Sequence, residues 1–123
     1  MELVDSIGVS NKEPAKADVL QGTLDLMVLQ TLETLGALHG YAIAARLEQV
    51  SGGAIQLNMG TLYPALMRLE QRGWVRGKWG TTDSNRKARF YSLTAAGRRH
   101  LARERRDWER MAAIMQSLLH GGA

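Results

Sequence analysis

The sequence predicts a mainly α-helical fold with a small β-hairpin. Three observations support this prediction: apolar residues recur at helical spacing along most of the chain, two alternating segments flank a polar turn, and a long helical pattern follows them. Two short helices joined by a glycine-containing turn, with a β-wing after the second, are typical of a winged helix-turn-helix domain. We place that domain at residues 18–93, between an N-terminal arm at 1–17, expected to be mobile, and a C-terminal helix at 94–119.

The first predicted helix runs from Asp18 to Gly36, and apolar residues form a stripe along it. Leu26 and Leu29 extend the apolar surface around the helix. A helix that is apolar on more than one face must be covered on more than one side. In a chain this short, a second copy can provide part of that cover, so we assign two stripe residues to a dimer interface: Leu24 and Val28.

The second and third predicted helices form the helix-turn-helix. The second spans residues 41–50, with Ile43, Ala44 and Leu47 on its buried side, and the segment 51–53 ends it. Asn58 is a good N-cap for the third helix, and Gly73 is the type of residue at which a helix ends. The stripe of the third helix is expected to be buried: Leu62, Ala65, Leu66 and Leu69. Other residues are expected on its outer face: Gly60, Pro64, Met67, Arg68 and Gln71. An ordinary surface helix is the alternative for this segment alone.

The predicted hairpin pairs residues 75–79 with residues 88–93 across the polar turn 80–85. Basic residues crowd onto it, which suits contact with DNA phosphates by counterion release, although a solvated charged face is the alternative. Tyr91, at its far end, either contacts a phosphate or packs in the domain. The basic residues concerned are Arg76, Lys78, Arg86, Lys87 and Arg89.

The last predicted helix begins after Thr94, a plausible N-cap, and runs toward Leu119. At about 1.5 Å per residue it spans nearly 40 Å, more than its own domain can bury. Its apolar residues are spaced close to a heptad, which favours packing on a partner helix and therefore a homodimer. A helix folded back over its own core is the alternative. The interface residues assigned on this helix are Leu101, Trp108, Met111, Met115 and Leu118.

The composition of the chain favours binding to a negatively charged partner. The chain has 123 residues and a formal net charge of +4, so nucleic acid is the favoured partner and an anionic membrane surface the alternative. It contains no cysteine, and its three histidines are widely spaced, so no metal or other cofactor is expected. We find no targeting segment and no apolar run long enough to span a bilayer, and therefore expect a cytoplasmic location.

Several motifs together resemble the PadR-type transcriptional regulators. They are Leu20-Gln-Gly-Thr-Leu-Asp-Leu26, His39-Gly-Tyr41, Gly60-Thr-Leu-Tyr-Pro-Ala-Leu66, Arg68-Leu-Glu70 and Tyr91-Ser-Leu-Thr-Ala-Ala-Gly97. The resemblance covers residues 18–119 and implies a dimeric winged-helix repressor. In such a protein the third helix reads DNA, the wing lies on phosphates and the last helix forms the dimer. Met59 stands where many relatives carry proline, which affects the expected geometry of the first turn of the third helix.

The resemblance also implies roles for single residues. Thr61 and Tyr63 are expected near the DNA backbone, and Asn58 beside them is grouped with the DNA-binding residues. Arg68 is the proposed base contact, because a guanidinium group can bond both major-groove acceptors of guanine. Tyr41 either bonds a phosphate or is a core aromatic. Four residues match the basic wing: Asn85, Arg86, Lys87 and Arg89.

Trp108 has two interpretations. In some PadR-type proteins a tryptophan of the last helix stacks on a flat aromatic compound between the subunits, which implies an effector pocket at Trp108. The favoured alternative is a hydrophobic anchor of the dimer.

The expected function is that of a sequence-specific, DNA-binding transcriptional regulator, most simply a dimeric repressor released by an effector. The chain is not expected to be an enzyme, because it has no nucleophile motif with a paired base and no glycine-rich phosphate loop. Glu48 and Glu70 are interpreted as solvent-facing helix charges. The alternative function is a ligand-sensing or protein-interaction module that uses the same fold without reading DNA.

Overall fold

The computed structural model describes residues 14–121. Its elements are α1 (Pro14–Leu35), β1 (Leu38–His39), α2 (Gly40–Val50), α3 (Met59–Gln71), β2 (Val75–Thr81), β3 (Lys87–Leu93) and α4 (Ala95–Leu119). The strands form an antiparallel sheet in the order β1-β3-β2. The predicted class, mainly helical with a small hairpin in a winged helix-turn-helix arrangement, is confirmed.

The fold differs from the prediction at α1 and at β1. Helix α1 begins at Pro14, so residues 14–17 belong to it rather than to the arm. Proline is tolerated in a first helical turn because the amide that it lacks would have no partner there. Residues 1–13 lie outside the described part of the chain. The strand β1 was missed, because its two residues are too few to show an alternating pattern.

The core lies where α1, α2 and α3 meet the sheet and the first turns of α4. The predicted stripe of α3, Leu62, Ala65, Leu66 and Leu69, is fully buried there. Leu24, Val28 and Leu101 are also buried in this core, although we assigned them to the dimer interface. That assignment is corrected: the other helices of the same chain cover these residues, which leaves them almost no surface for a partner.

Helix α4 divides into two parts. Its first turns pack on the domain through Gly97 and Leu101, while most residues after Leu101 are exposed. Along residues 14–121, no helix combines the length and apolar content needed to cross a bilayer.

Candidate DNA-binding surface

The junction of α2 and α3 explains two of the sequence motifs. The Nδ1 atom of His39 accepts a hydrogen bond from the amide of Ala42 at 3.3 Å and so caps α2. A Cβ atom at Gly40 would lie only 3.3 Å from Cε1 and Oη of Tyr63, so glycine lets α3 approach closely. Tyr41 is 68% exposed beside this junction and is not a core aromatic. The motifs at 39–41 and 60–66 therefore set the relative position of α2 and α3.

The outer face of α3 is mostly uncharged. Asn58 caps the helix as predicted: its Oδ1 accepts a hydrogen bond from the amide of Thr61 at 2.9 Å. The helix continues through Pro64 without a break. A surface of neutral side chains projects into solvent: Thr61, Tyr63, Pro64, Met67 and Gln71. This surface can enter a groove without bringing unpaired charge of its own.

Arg68 lies elsewhere than predicted. Its Nη2 donates to Oδ1 of Asp25 on α1 at 2.9 Å, and the two side chains are only 28% and 14% exposed. Its Nε is buried and has no hydrogen-bond partner among the described residues. The expectation that Arg68 projects from the outer face is therefore corrected, because the carboxylate of α1 draws the guanidinium toward the body of the domain. Arg68 ties α3 to α1.

The wing is attached to α3 through Glu70. Its Oε2 accepts from Nη2 of Arg89 at 2.6 Å and from the amide of Gly77 at 3.3 Å. Both partners lie on the hairpin, on facing strands. Glu70 is therefore not a solvent-facing charge, and Arg89 is not a free cation for phosphate. The hydrogen bond to Glu70 raises the pKa of Arg89, which stays charged.

Tyr91 packs in the domain. It is 4% exposed and belongs to the core, so the packing alternative holds and the phosphate contact is corrected. Burial raises the pKa of its hydroxyl, and the nearby charge of Arg89 opposes that shift. Leu38 of β1 pairs with Tyr91 and covers its strand on the side away from β2.

The register of the hairpin divides its basic residues between two faces. Lys87 lies opposite Thr81, and Arg89 lies opposite Trp79, so these pairs share the face that turns toward Glu70 and α3. Lys78 lies opposite Phe90 on the other face. The predicted wing cations are therefore not equivalent.

The tip of the wing is a tight turn. Asn85 has a φ of 64°, which asparagine tolerates better than most residues. The amide of Thr82 donates to the carbonyl of Arg86 at 2.8 Å, and the amide of Arg86 donates to Oγ1 of Thr82 at 3.1 Å. Arg86 and Lys87 are exposed next to this turn, where a phosphate backbone can reach them.

The start of α4 is locked onto the turn between α3 and β2. Oγ1 of Thr94 donates to the carbonyl of Gly73 at 2.6 Å and accepts from the amide of Gly97 at 3.0 Å. A Cβ atom at Gly97 would overlap the carbonyl oxygen of Trp74. The imidazole of His100 stacks on Trp74 with ring centroids 3.5 Å apart. Burial lowers the pKa of His100, and Glu104 opposes that shift.

The exposed part of α4 carries large apolar side chains. Trp108 lines a cleft of about 420 Å³ between α1, α2 and α4, together with Met27, Leu47 and Ile55. Further along α4, Met111, Ile114, Met115, Leu118 and Leu119 are exposed. The surface from Trp108 to Leu119 is called the α4 apolar face below. In the described part of the chain, no cluster of three or more acidic or histidine side chains is placed to hold a metal ion.

Two residues of this surface were missed at the sequence level. The sequence alone indicates only a solvent-facing charge at Glu70, because its partner Arg89 lies on a distant segment. Trp79 was treated only as the end of a strand, although it is the most exposed tryptophan, at 63%. The alternation of the strand already placed Trp79 on one face with Gly77, and this was the available signal.

Comparisons with known proteins agree with this architecture. The sequence model of the transcriptional regulator PadR-like family matches residues 28–103, more than half of the chain. A 37.1 kDa protein of a Streptomyces fradiae transposon is 44% identical over 77 residues, which are 63% of this chain and 21% of that protein. The chain thus spans about a fifth of the length of this relative.

Solved structures are similar over most of the chain. A PadR family transcriptional regulator from Eggerthella lenta is 28% identical, with a TM-score of 0.70 over 85% of this chain and 88% of that one. A transcriptional regulator from Clostridium thermocellum is 24% identical, with a TM-score of 0.72 over 81% of this chain and 96% of that one, and supports the fold. The chain belongs to the PadR-like family of transcriptional regulators, which are DNA-binding proteins and not enzymes.

Proposed function

We propose that this regulator acts as a cytoplasmic homodimer that binds a promoter and represses transcription until an effector releases it. The observation that carries the proposal is the conjunction of an exposed outer face of α3 with a basic wing tip beside it. Helix α3 enters the major groove, and Arg86 and Lys87 neutralise phosphates of the adjoining backbone. Tyr41 and Tyr63, both exposed near the amino end of α3, lie where hydroxyl groups can reach a phosphate.

The roles that we propose for the residues of α3 differ from those expected from the sequence. Because Arg68 is held by Asp25, it positions α3 instead of bonding a guanine. Base contacts then come from the exposed Thr61, Met67 and Gln71. A glutamine side chain suits adenine, and apolar groups suit the methyl group of thymine, so we propose that α3 prefers A·T base pairs. Lys78, on the far face of the wing, contributes little.

The α4 apolar face supports the dimer. Trp108, Met111, Met115 and Leu118 recur at intervals of three and four residues and are all exposed. An apolar surface of this kind on a long helix is covered in solution by a second copy of the same helix. A two-fold dimer places its two α3 helices about one turn of DNA apart, roughly 10 base pairs.

The effector is the remaining part of the proposal. Trp108 borders a cleft whose lining is largely apolar and also includes Gln30, Arg46 and Arg105. A flat aromatic compound suits such a site, because it can stack on the indole while polar groups fix its orientation. Binding there acts on the packing of α4 and so on the distance between the two α3 helices.

The test is a titration of the protein on the promoter DNA of its own gene and on random duplex DNA, each at several salt concentrations. We expect promoter-selective binding that weakens with salt. Arg86→Ala should weaken binding to both duplexes and reduce the slope of log K against log salt by about 0.9. Lys78→Ala removes an equal charge far from the tip, on the face of the hairpin that turns away from α3, and should leave that slope unchanged.

Three results of this titration would contradict parts of the proposal. Equal binding to both duplexes contradicts sequence-specific regulation and leaves a nonspecific basic surface. Absence of binding favours the alternative of a ligand-sensing or protein-interaction module. Equal slope changes for the two variants contradict the assignment of the phosphate contacts to the tip of the wing.

A further inference from the structure

Trp79 has a position that the fold of the domain does not explain. It is 63% exposed and lies outside the buried core cluster. Its strand partner is Arg89, and partners across an antiparallel pair share one face of the sheet. Because Arg89 reaches Glu70 on α3, Trp79 lies on the α3 side of the wing. The other exposed apolar residues of this size are mostly on α4, where a second copy can cover them.

The indole of Trp79 lies beside the guanidinium group of Arg89. The guanidinium carbon of Arg89 lies 6.0 Å from the ring centre of Trp79 and 6.0 Å from that of Tyr91. Tyr91 is anchored in the core, and Glu70 fixes Arg89 from α3. Gly77 has no side chain, which leaves room for Arg89 to lie across the strand. The row Tyr91, Arg89, Trp79 therefore runs from the core into the wing, and Arg89 lies beside one side of the indole.

One exposed cation lies on the same face of the hairpin as Trp79, and another lies at the tip of the wing. Lys87 shares its face, and Arg86 stands at the tip; both are exposed. An exposed ring beside fixed positive charges suits a partner that alternates apolar and anionic groups. The backbone of DNA has this chemistry, because each deoxyribose offers carbon atoms and each phosphate a charge. A protein partner needs a broader patch, about 800 Å² on each side, which one indole among cations does not supply.

We propose that Trp79 is a DNA-contact residue whose exposed indole packs on deoxyribose of the strand that the wing approaches, while Lys87 and Arg86 bind the neighbouring phosphates. This inference deepens the proposed function and rests on it. The contact is made with the sugar, so it adds affinity without sequence preference. It also carries no charge, which separates it from the phosphate contacts in a salt titration.

The test compares Trp79→Ala, Trp79→Phe and Lys87→Ala with the wild-type protein on promoter and random duplexes over a range of salt. We expect Trp79→Ala to bind both duplexes about tenfold more weakly with an unchanged salt slope, as for loss of a stacked aromatic contact. Lys87→Ala should reduce the slope by about 0.9. Trp79→Phe should keep most of the affinity, because a phenyl ring still packs on a sugar. Lys78→Ala is the control for a change on the opposite face.

A second measurement does not depend on the alanine variant remaining folded. Wild-type protein labelled with 5-fluorotryptophan gives a fluorine resonance for Trp79, assigned by its loss in Trp79→Phe. We expect this resonance to move when duplex DNA is added and to lose its sensitivity to solvent deuterium. An unmoved resonance, or a Trp79→Ala protein that binds DNA within about twofold of wild type, overturns the proposal.

The two proposals fail separately. If wild-type protein selects its promoter and Trp79→Ala does the same with equal affinity, only the role of Trp79 is refuted. If the wild-type protein binds neither duplex, the proposed function and this inference both fall. A change in the ratio of promoter to random affinity in Trp79→Ala refutes the sugar contact, because a contact without sequence preference leaves that ratio unchanged.

Discussion

The ion pair between Arg68 and Asp25 gives a prediction that separates a positioning residue from a base contact. Removing the carboxylate in Asp25→Ala leaves a guanidinium group whose Nε is already buried without a partner. Loss of one partner from a fully buried pair costs about 3–5 kcal/mol, and an exposed pair contributes about 0–1 kcal/mol. With exposures of 14% and 28% the pair lies between these cases, so we expect a loss of about 2 kcal/mol.

The assay is thermal and urea unfolding at fixed protomer concentration. A loss of about 2 kcal/mol corresponds to a fall of roughly 8 °C in Tm for a domain of this size. Arg68→Met in the Asp25→Ala background removes the unpaired charge, so we expect it to restore about 1–2 kcal/mol of that loss. Glu33→Ala removes the partner of Arg98 from an exposed pair and should change stability by less than about 0.5 kcal/mol.

Two results would refute this reasoning. Additivity of Asp25→Ala and Arg68→Met within about 0.3 kcal/mol would show that the pair has no net coupling. Loss of promoter preference in Arg68→Met, with stability retained, would show that Arg68 contacts a base after leaving Asp25.

Three further predictions concern α4 and its attachment. Gly97→Ala should destabilise the fold by about 3 kcal/mol, because the new methyl group meets a backbone carbonyl; Gly22→Ala, with open space in mid-helix, should stabilise it by about 0.5–1 kcal/mol in the same urea assay. Because burial lowers the pKa of His100, the unfolded chain binds a proton at His100 more readily than the folded protein, so stability should fall as the pH drops below about 6.5. In His100→Gln this part of the pH dependence of Tm should vanish. If it persists in that variant, it belongs to another group. Met115→Glu should give a monomer in sedimentation velocity with its helix content intact, whereas Gln116→Glu should leave the proposed dimer unchanged. A dimeric Met115→Glu protein would exclude the α4 apolar face as the dimer interface.

Local patterns predicted much of this fold from the sequence. The stripe of α3 was predictable because helical spacing repeats within the segment itself, and the same holds for the caps at Asn58 and Thr94. The wing was predictable because two alternating segments flank a polar turn. The strand β1 was not, because a strand of two residues carries no pattern of its own.

The errors share a physical cause. Arg68 was assigned to the outer face because its helix alone offered no partner, and Asp25 lies on another helix. The interpretation of Glu70 as a solvent-facing charge fails for the same reason, since Arg89 belongs to the wing. Leu24 and Val28 were assigned to a dimer, although helices of their own chain bury them. Pairings between distant segments are decided by the tertiary structure and leave no trace in local periodicity.

The close approach of Gly97 to the carbonyl of Trp74 has a mechanical consequence. Because no side chain separates α4 from the turn that follows α3, the start of α4 is fixed to that turn, and α4 is a lever of 25 residues, about 38 Å long. Rotating such a lever by about 10° about one end moves the other by roughly 7 Å, which is about two steps along a DNA strand. In the proposed dimer, the angle at which the two α4 helices cross therefore sets the distance between the two α3 helices that enter the grooves. If an effector binds beside Trp108 as we propose, a change in that angle alone is enough to shift the two α3 helices away from the spacing of the DNA grooves.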